Sequence, residues 1–160
     1  MAIRPIYPFF VVVFTLLAGD VLAGDWPMWG RTAARNMASP ETGLVTTFEP
    51  GRLKEGTEDI DLTTTKNVKW IQKLGSQAYG NVTVSNGQLC LGTNNETPRQ
   101  KKIQGDRGVV MCFEEETGSF RWQLTAPKLG GGKVNDWEFL GICSSPAQHD
   151  DRIYVGTNRA

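Results

Sequence analysis

The sequence has no charge to spare: 17 lysines and arginines balance 17 aspartates and glutamates. Net charge therefore gives no nucleic-acid footprint. Histidine occurs once, at His149 beside Asp150 and Asp151, and reads as a surface turn residue rather than a general base. The three cysteines, Cys90, Cys112 and Cys143, are odd in number, far apart and without C-x-x-C spacing. That argues against a zinc site and against a small disulfide framework. Cys90 and Cys112 fall in apolar runs and read as small buried hydrophobes; a pair among the three bridges only if the fold brings the sulfurs together. No Gly-x-Ser-x-Gly, His-Glu-x-x-His or P-loop pattern is present. After residue 23 no apolar run is long enough to span a bilayer.

Glycine is what the chain has in excess: 18 among 160 residues, above the usual ~7%. With few helix-type periodic segments, this indicates many tight turns and an all-β fold. The length suits one domain, since domains run roughly 100–200 residues.

Arg4 is the lone charge ahead of an apolar run, Phe9 to Ala18, and small or branched Val21 and Ala23 permit cleavage before Gly24. Residues 1–23 thus read as a signal peptide, too short to span comfortably. The mature chain is expected to be exported, to the periplasm, the cell envelope or the exterior. Its first residues hold Trp26 and Trp29, which are expected to pack on the domain face or close its edge. Residues 24–66 read as an irregular segment; Glu55, Glu58, Asp59 and Asp61 lack calcium-loop spacing and read as solvated charge.

Asn67 to Leu74 alternates as a strand, with Val68, Trp70 and Gln72 on one side. Four short strands follow, over about 80–84, 88–93, 108–113 and 119–124. Asn86-Gly87 is a strong hairpin signal. Val109 to Phe113 is apolar on both faces and should be central. Asn94 to Asp106 reads as a surface loop. Asn86 to Asn95 and Asp150 to Arg159 then match in register: a turn pair, a polar residue, three apolar residues and Gly-Thr-Asn. Val68-Lys69-Trp70 likewise matches Phe120-Arg121-Trp122. Repeats of a four-stranded sheet are the signature of a β-propeller.

The segment Cys112 to Trp122 resembles the blade motif of pyrroloquinoline-quinone (PQQ) repeat propellers, A-x-D-x-x-T-G-x-x-x-W. Thr117, Gly118 and Trp122 match; Cys112 replaces the alanine and Glu114 the aspartate. The resemblance implies a tryptophan docked between blades. It covers most of residues 25–160 and speaks to fold more than to function. Propellers use about four to eight blades, so residues 67–160 are expected to be an incomplete, N-terminal part, prone to associate through unpaired strand edges.

Two functions follow from the resemblance. One is a non-catalytic binding or scaffold module with a protein partner or small ligand on a propeller face. The other is the N-terminal part of a PQQ-dependent alcohol or sugar dehydrogenase, which implies PQQ and calcium. Such dehydrogenases often carry an adjacent cysteine pair, whereas Ser144 follows Cys143 here. No residue is assigned to catalysis, to a cofactor or to a metal. Gly130-Gly131-Gly132-Lys133 reads as an inter-blade loop. Asp136-Trp137-Glu138-Phe139 is a weak candidate for a ligand or cation, with packing of Trp137 and Phe139 as the plainer reading. Asn81-Val82-Thr83 and Asn95-Glu96-Thr97 fit the glycosylation sequon.

Overall fold

Asn86 and Gly87 take φ of 51° and 68°, the two left-handed residues that a type I′ turn requires. That turn joins β3 (Thr83–Ser85) to β4 (Gln88–Asn94), with Ser85 opposite Gln88. β4 continues into an antiparallel pair with β5 (Arg107–Glu114), and β5 with β6 (Phe120–Pro127). The result is a four-stranded sheet in the order β3-β4-β5-β6. These coordinates are a computed structural model, which describes residues 24–130 and 136–159. The signal-peptide reading and most of the Gly130–Lys133 reading lie outside the described residues.

Two smaller antiparallel sheets flank this one. β1 (Arg52–Leu53) pairs with β2 (Ile60–Asp61), and β7 (Ala147–His149) with β8 (Arg152–Tyr154). The only regular helix among the described residues is a 3-10 turn over Leu62–Thr64, capped by the Asp61 carboxylate, which accepts from Thr63 N–H. None is long and apolar enough to cross a membrane. The protein is all-β and antiparallel, as its glycine content and turn signals indicate.

β5 is the centre, and the apolar stretch Val109 to Phe113 is buried throughout. Alternation sends Val110 and Cys112 to one face and Val109, Met111 and Phe113 to the other. On the first face Cys90, Val110, Cys112 and Ala126 pack with Ile142, Ile153 and Val155, so β8 and its approach cover it. On the second, Leu91, Val109, Met111 and Phe113 pack with Leu74 and Leu89.

A bulge separates Cys112↔Trp122 from Phe113↔Phe120 and leaves Arg121 as the extra residue on β6. Trp122 therefore shares a face with Cys112. Phe120 shares the opposite face with Phe113, their rings edge-on at 6.0 Å.

Three sequence expectations are corrected. Cys90 and Cys112 are not merely small hydrophobes: they stand directly opposite on β4 and β5, 4.2 Å apart at Cα, and form a disulfide. Asn67 to Leu74 keeps its alternation, with Val68, Trp70, Gln72 and Leu74 partly covered and Lys69, Ile71 and Lys73 exposed, yet it is not a strand. It crosses the sheet face rather than joining an edge, so side chains and not ladder bonds hold it. Asn94 and Asn95 are buried rather than on a surface loop. Asn94 accepts from Ser76 N–H and Glu96 N–H and donates to Ser76 Oγ and Phe139 O. Asn95 donates to Ile103 O and Gly105 O. These amides continue the bonding of β4 where its ladder ends.

Candidate functional site

Gly118 closes the turn between β5 and β6 at φ 70°, where Gly118 N–H donates to Glu114 O at 2.8 Å. With no side chain there, an indole can lie against the turn. Trp70 does so: a Cβ on Gly118 would fall 2.6 Å from Trp70 Cε3 and closer still to Cδ2. Trp70 Nε1 donates to Glu115 O at 2.9 Å, and its ring centroid lies 6.4 Å from that of Phe113. Neighbouring Lys69 pairs with Glu116 on the same turn. The likeness of Val68-Lys69-Trp70 to Phe120-Arg121-Trp122 does not reveal this seat. The signal for it was the Thr117-Gly118 pair, which offers bare backbone to an aromatic ring.

Trp122, opposite Cys112, meets no such turn among the described residues. It remains 37% exposed, with Nε1 donating to Gln88 Oε1 at 3.0 Å. It sits at a cleft of about 490 Å³ between the Asn86 and Asp150 turns. Arg121, held by Glu114 at 2.9 Å through Nε, and Arg152, Asp150 and Asp151 form its rim. Its polar floor is Gln148, whose Nε2 donates to Thr83 Oγ1 at 3.1 Å and to Gln88 O at 3.5 Å. The cleft thus pairs one aromatic platform with amide and charged groups.

The Asp136 to Phe139 stretch departs from the packing expectation. Asp136 is buried, while Trp137 is 66% exposed and Phe139 38%. Neither aromatic packs inward; what faces in is the acid. Lys128 pairs with Asp136 and donates to Trp137 O at 2.6 Å. Asp136 also accepts from Leu129 N–H at 2.8 Å and from Asn158 Nδ2. The Lys128 ammonium lies against the Asp136 carboxylate.

Burial alone pushes the Asp136 pKa up. The Lys128, Leu129 and Asn158 hydrogen bonds and the Lys128 charge outweigh it and hold the carboxyl below its ordinary 3.8. A group depressed in the folded state adds stability that is present above its unfolded pKa and lost as pH falls through the folded one. We expect this clamp to loosen as pH falls below 3.8. Amide exchange at Leu129, corrected for its intrinsic rate, should quicken there, and Asp136→Asn should quicken it already at neutral pH. Unchanged Leu129 protection in that variant would remove the clamp from the account.

The remaining candidates are placed as follows. His149 ends β7 on the surface, its ring 3.6 Å from Asp150. Glu58 pairs with Lys73, and Asp61 caps the 3-10 turn, so the acidic group around 55–61 is partly structural. Trp26 closes the β3 edge through two backbone bonds with Val84, of 2.8 and 2.9 Å, whereas Trp29 stays exposed with Arg35 over its ring. Asn81 is exposed, whereas Asn95 of the second sequon is buried. Cys143 is the free cysteine.

Comparison with protein-family models, curated proteins and solved structures finds no match. The site therefore has to be judged on its own chemistry. Among the described residues no three His, Cys, Asp or Glu side chains converge as a metal-holding group.

Proposed function

We propose that residues 67–160 belong to a PQQ-repeat-like β-propeller and that the exported protein serves as a non-catalytic binding or scaffold module. The observation that carries this reading is Trp70 lying on Gly118 with Nε1 on Glu115 O. In this reading β3 to β6 are one blade, residues 67–74 the end of the blade before it, and β7–β8 the opening of the next. The second hairpin supports it by copying the first: Asp150 takes φ 52° where Asn86 takes 51°, and His149 faces Arg152 as Ser85 faces Gln88. Gly156-Thr157-Asn158 likewise follows β8 as Gly92-Thr93-Asn94 ends β4.

The binding role rests on how the polar groups are used. Asp136, Gln148 and Asn94 each hold elements together. Trp122, Arg121, Arg152, Asp150 and Asp151 instead line the cleft. The buried Cys90–Cys112 bridge supports export, because such bonds persist in oxidising compartments.

The test is a titration of the exported protein with PQQ and calcium, followed by alcohol-dependent dye reduction. We expect neither saturable quinone binding nor turnover. Saturable binding with turnover would replace the scaffold reading with the dehydrogenase one.

A further inference from the structure

The residue that follows the cleavage pattern is already docked. Gly24 N lies 2.7 Å from Glu41 Oε1. The three residues after it are fixed to the sheets. Asp25 accepts from Ser85 Oγ at 3.0 Å and from Asn86 N–H at 3.4 Å. Trp26 makes two backbone bonds with Val84, and Pro27 O accepts from Gln148 N–H at 2.7 Å. This short segment therefore ties β3 to β7. Glu41 reaches Gly24 from the far end of a loop braced by Arg31 Nη1 donating to Ala38 O at 3.0 Å.

We propose that cleavage before Gly24 completes this junction by giving Glu41 a terminal ammonium to hold. The inference rests on the signal-peptide reading. Hydrolysis of the Ala23–Gly24 amide by an endopeptidase of the export machinery consumes one water. It leaves a carboxylate on Ala23 and an α-amine on Gly24, which takes up a proton. Before cleavage the Gly24 nitrogen is a neutral amide with one hydrogen to donate. Afterwards it carries a full charge and three donors at the same spot. A charge-assisted bond to a carboxylate is the stronger kind. The charged groups around the new terminus are Glu41 in contact, Arg31, whose Nη2 lies 3.6 Å from where a Gly24 Cβ would stand, and Asp25, adjacent in sequence with its carboxylate on Ser85 and Asn86. Arg31 opposes the ammonium and the two carboxylates favour it. Its own guanidinium is drawn aside toward Ala38 O and the Trp26 ring. Processing and anchoring of the first segment thus become one event: the exported form is held at its terminus in a way the precursor is not.

The experiment uses the mature chain recovered after export of the full precursor. Mass spectrometry of the terminal peptide reads the cleavage point. The Gly24 α-amine is then acylated with an amine-reactive ester over a pH series, in wild type, Glu41→Gln and Glu41→Asp. Pairing keeps the amine protonated, so wild type should react more slowly than Glu41→Gln near neutral pH, by about two- to fivefold for an exposed pair. Glu41→Asp, which keeps the charge, should stay slow, and labelling of Lys69 and Lys73 should be unchanged in all three. A Gly24 terminus with equal rates in wild type and Glu41→Gln overturns the pairing and leaves the signal reading standing. A terminus elsewhere overturns both.

Discussion

Reducing the Cys90–Cys112 bridge is expected to cost about 3 kcal/mol of stability, the loop-closure value for its span. The two cysteines are 22 residues apart and both fully buried. They join the two innermost strands of the four-stranded sheet, so freeing them releases the loop that β4 and β5 enclose. Guanidinium unfolding followed by tryptophan emission, on oxidised and reduced protein with redox state confirmed by mass, reads the difference. Replacing Cys112 alone by serine should cost more than reduction. It also leaves a hydroxyl with no partner in an apolar layer formed by Val110, Ile142, Ile153 and Val155, a further loss of about 1–3 kcal/mol. A thiolate reaches this bridge only when that cover opens, so reduction of the native protein should be slow and should quicken with sub-denaturing guanidinium. Identical unfolding curves for the oxidised and reduced forms would rule out a structural role.

Gly118→Ala is the second large effect. Alanine at φ 70° costs roughly 1–2 kcal/mol in backbone alone. Its methyl group also occupies the space of the Trp70 ring, so the indole must leave its seat and give up the bond to Glu115 O. We expect a total of about 3 kcal/mol. A double-mutant cycle separates the parts. In a Trp70→Ala background the same glycine substitution should cost only the backbone share, about 1–2 kcal/mol. Equal costs in the two backgrounds would show that Trp70 does not rest on the turn.

The limits of the sequence lie in particular residues. The four strands of the central sheet are legible because each is bounded by a turn with its own chemistry, Asn86-Gly87 between β3 and β4 and Thr117-Gly118 between β5 and β6. The disulfide was not legible for a physical reason. β4 and β5 are joined by the long Asn95 to Asp106 connection, and a connection of that length leaves register free. Only the folded register sets Cys90 opposite Cys112. Asn67 to Leu74 shows the converse: alternation reports which side chains are covered, not whether backbone partners lie alongside. Asn94 and Asn95 read as loop because they are polar, but amides at a strand end are also what satisfies buried backbone. For the candidate site, the sequence marks Trp122 through the likeness of Phe120-Arg121-Trp122 to Val68-Lys69-Trp70. It does not show that Trp70 rests on Gly118.

The bulge at Arg121 works as a phase shift. A strand has a period of two, so Phe120 and Trp122 would otherwise point the same way. One sheet face would then hold both rings and the other none. The inserted residue lets an eight-residue strand serve neighbours on both sides, Phe120 sealing toward Phe113 and Arg99, Trp122 opening toward Gln88 and the cleft. Deleting Arg121 would shorten the chain by one residue but act as a half-turn of the strand, withdrawing an aromatic ring from one neighbour and crowding it onto the other.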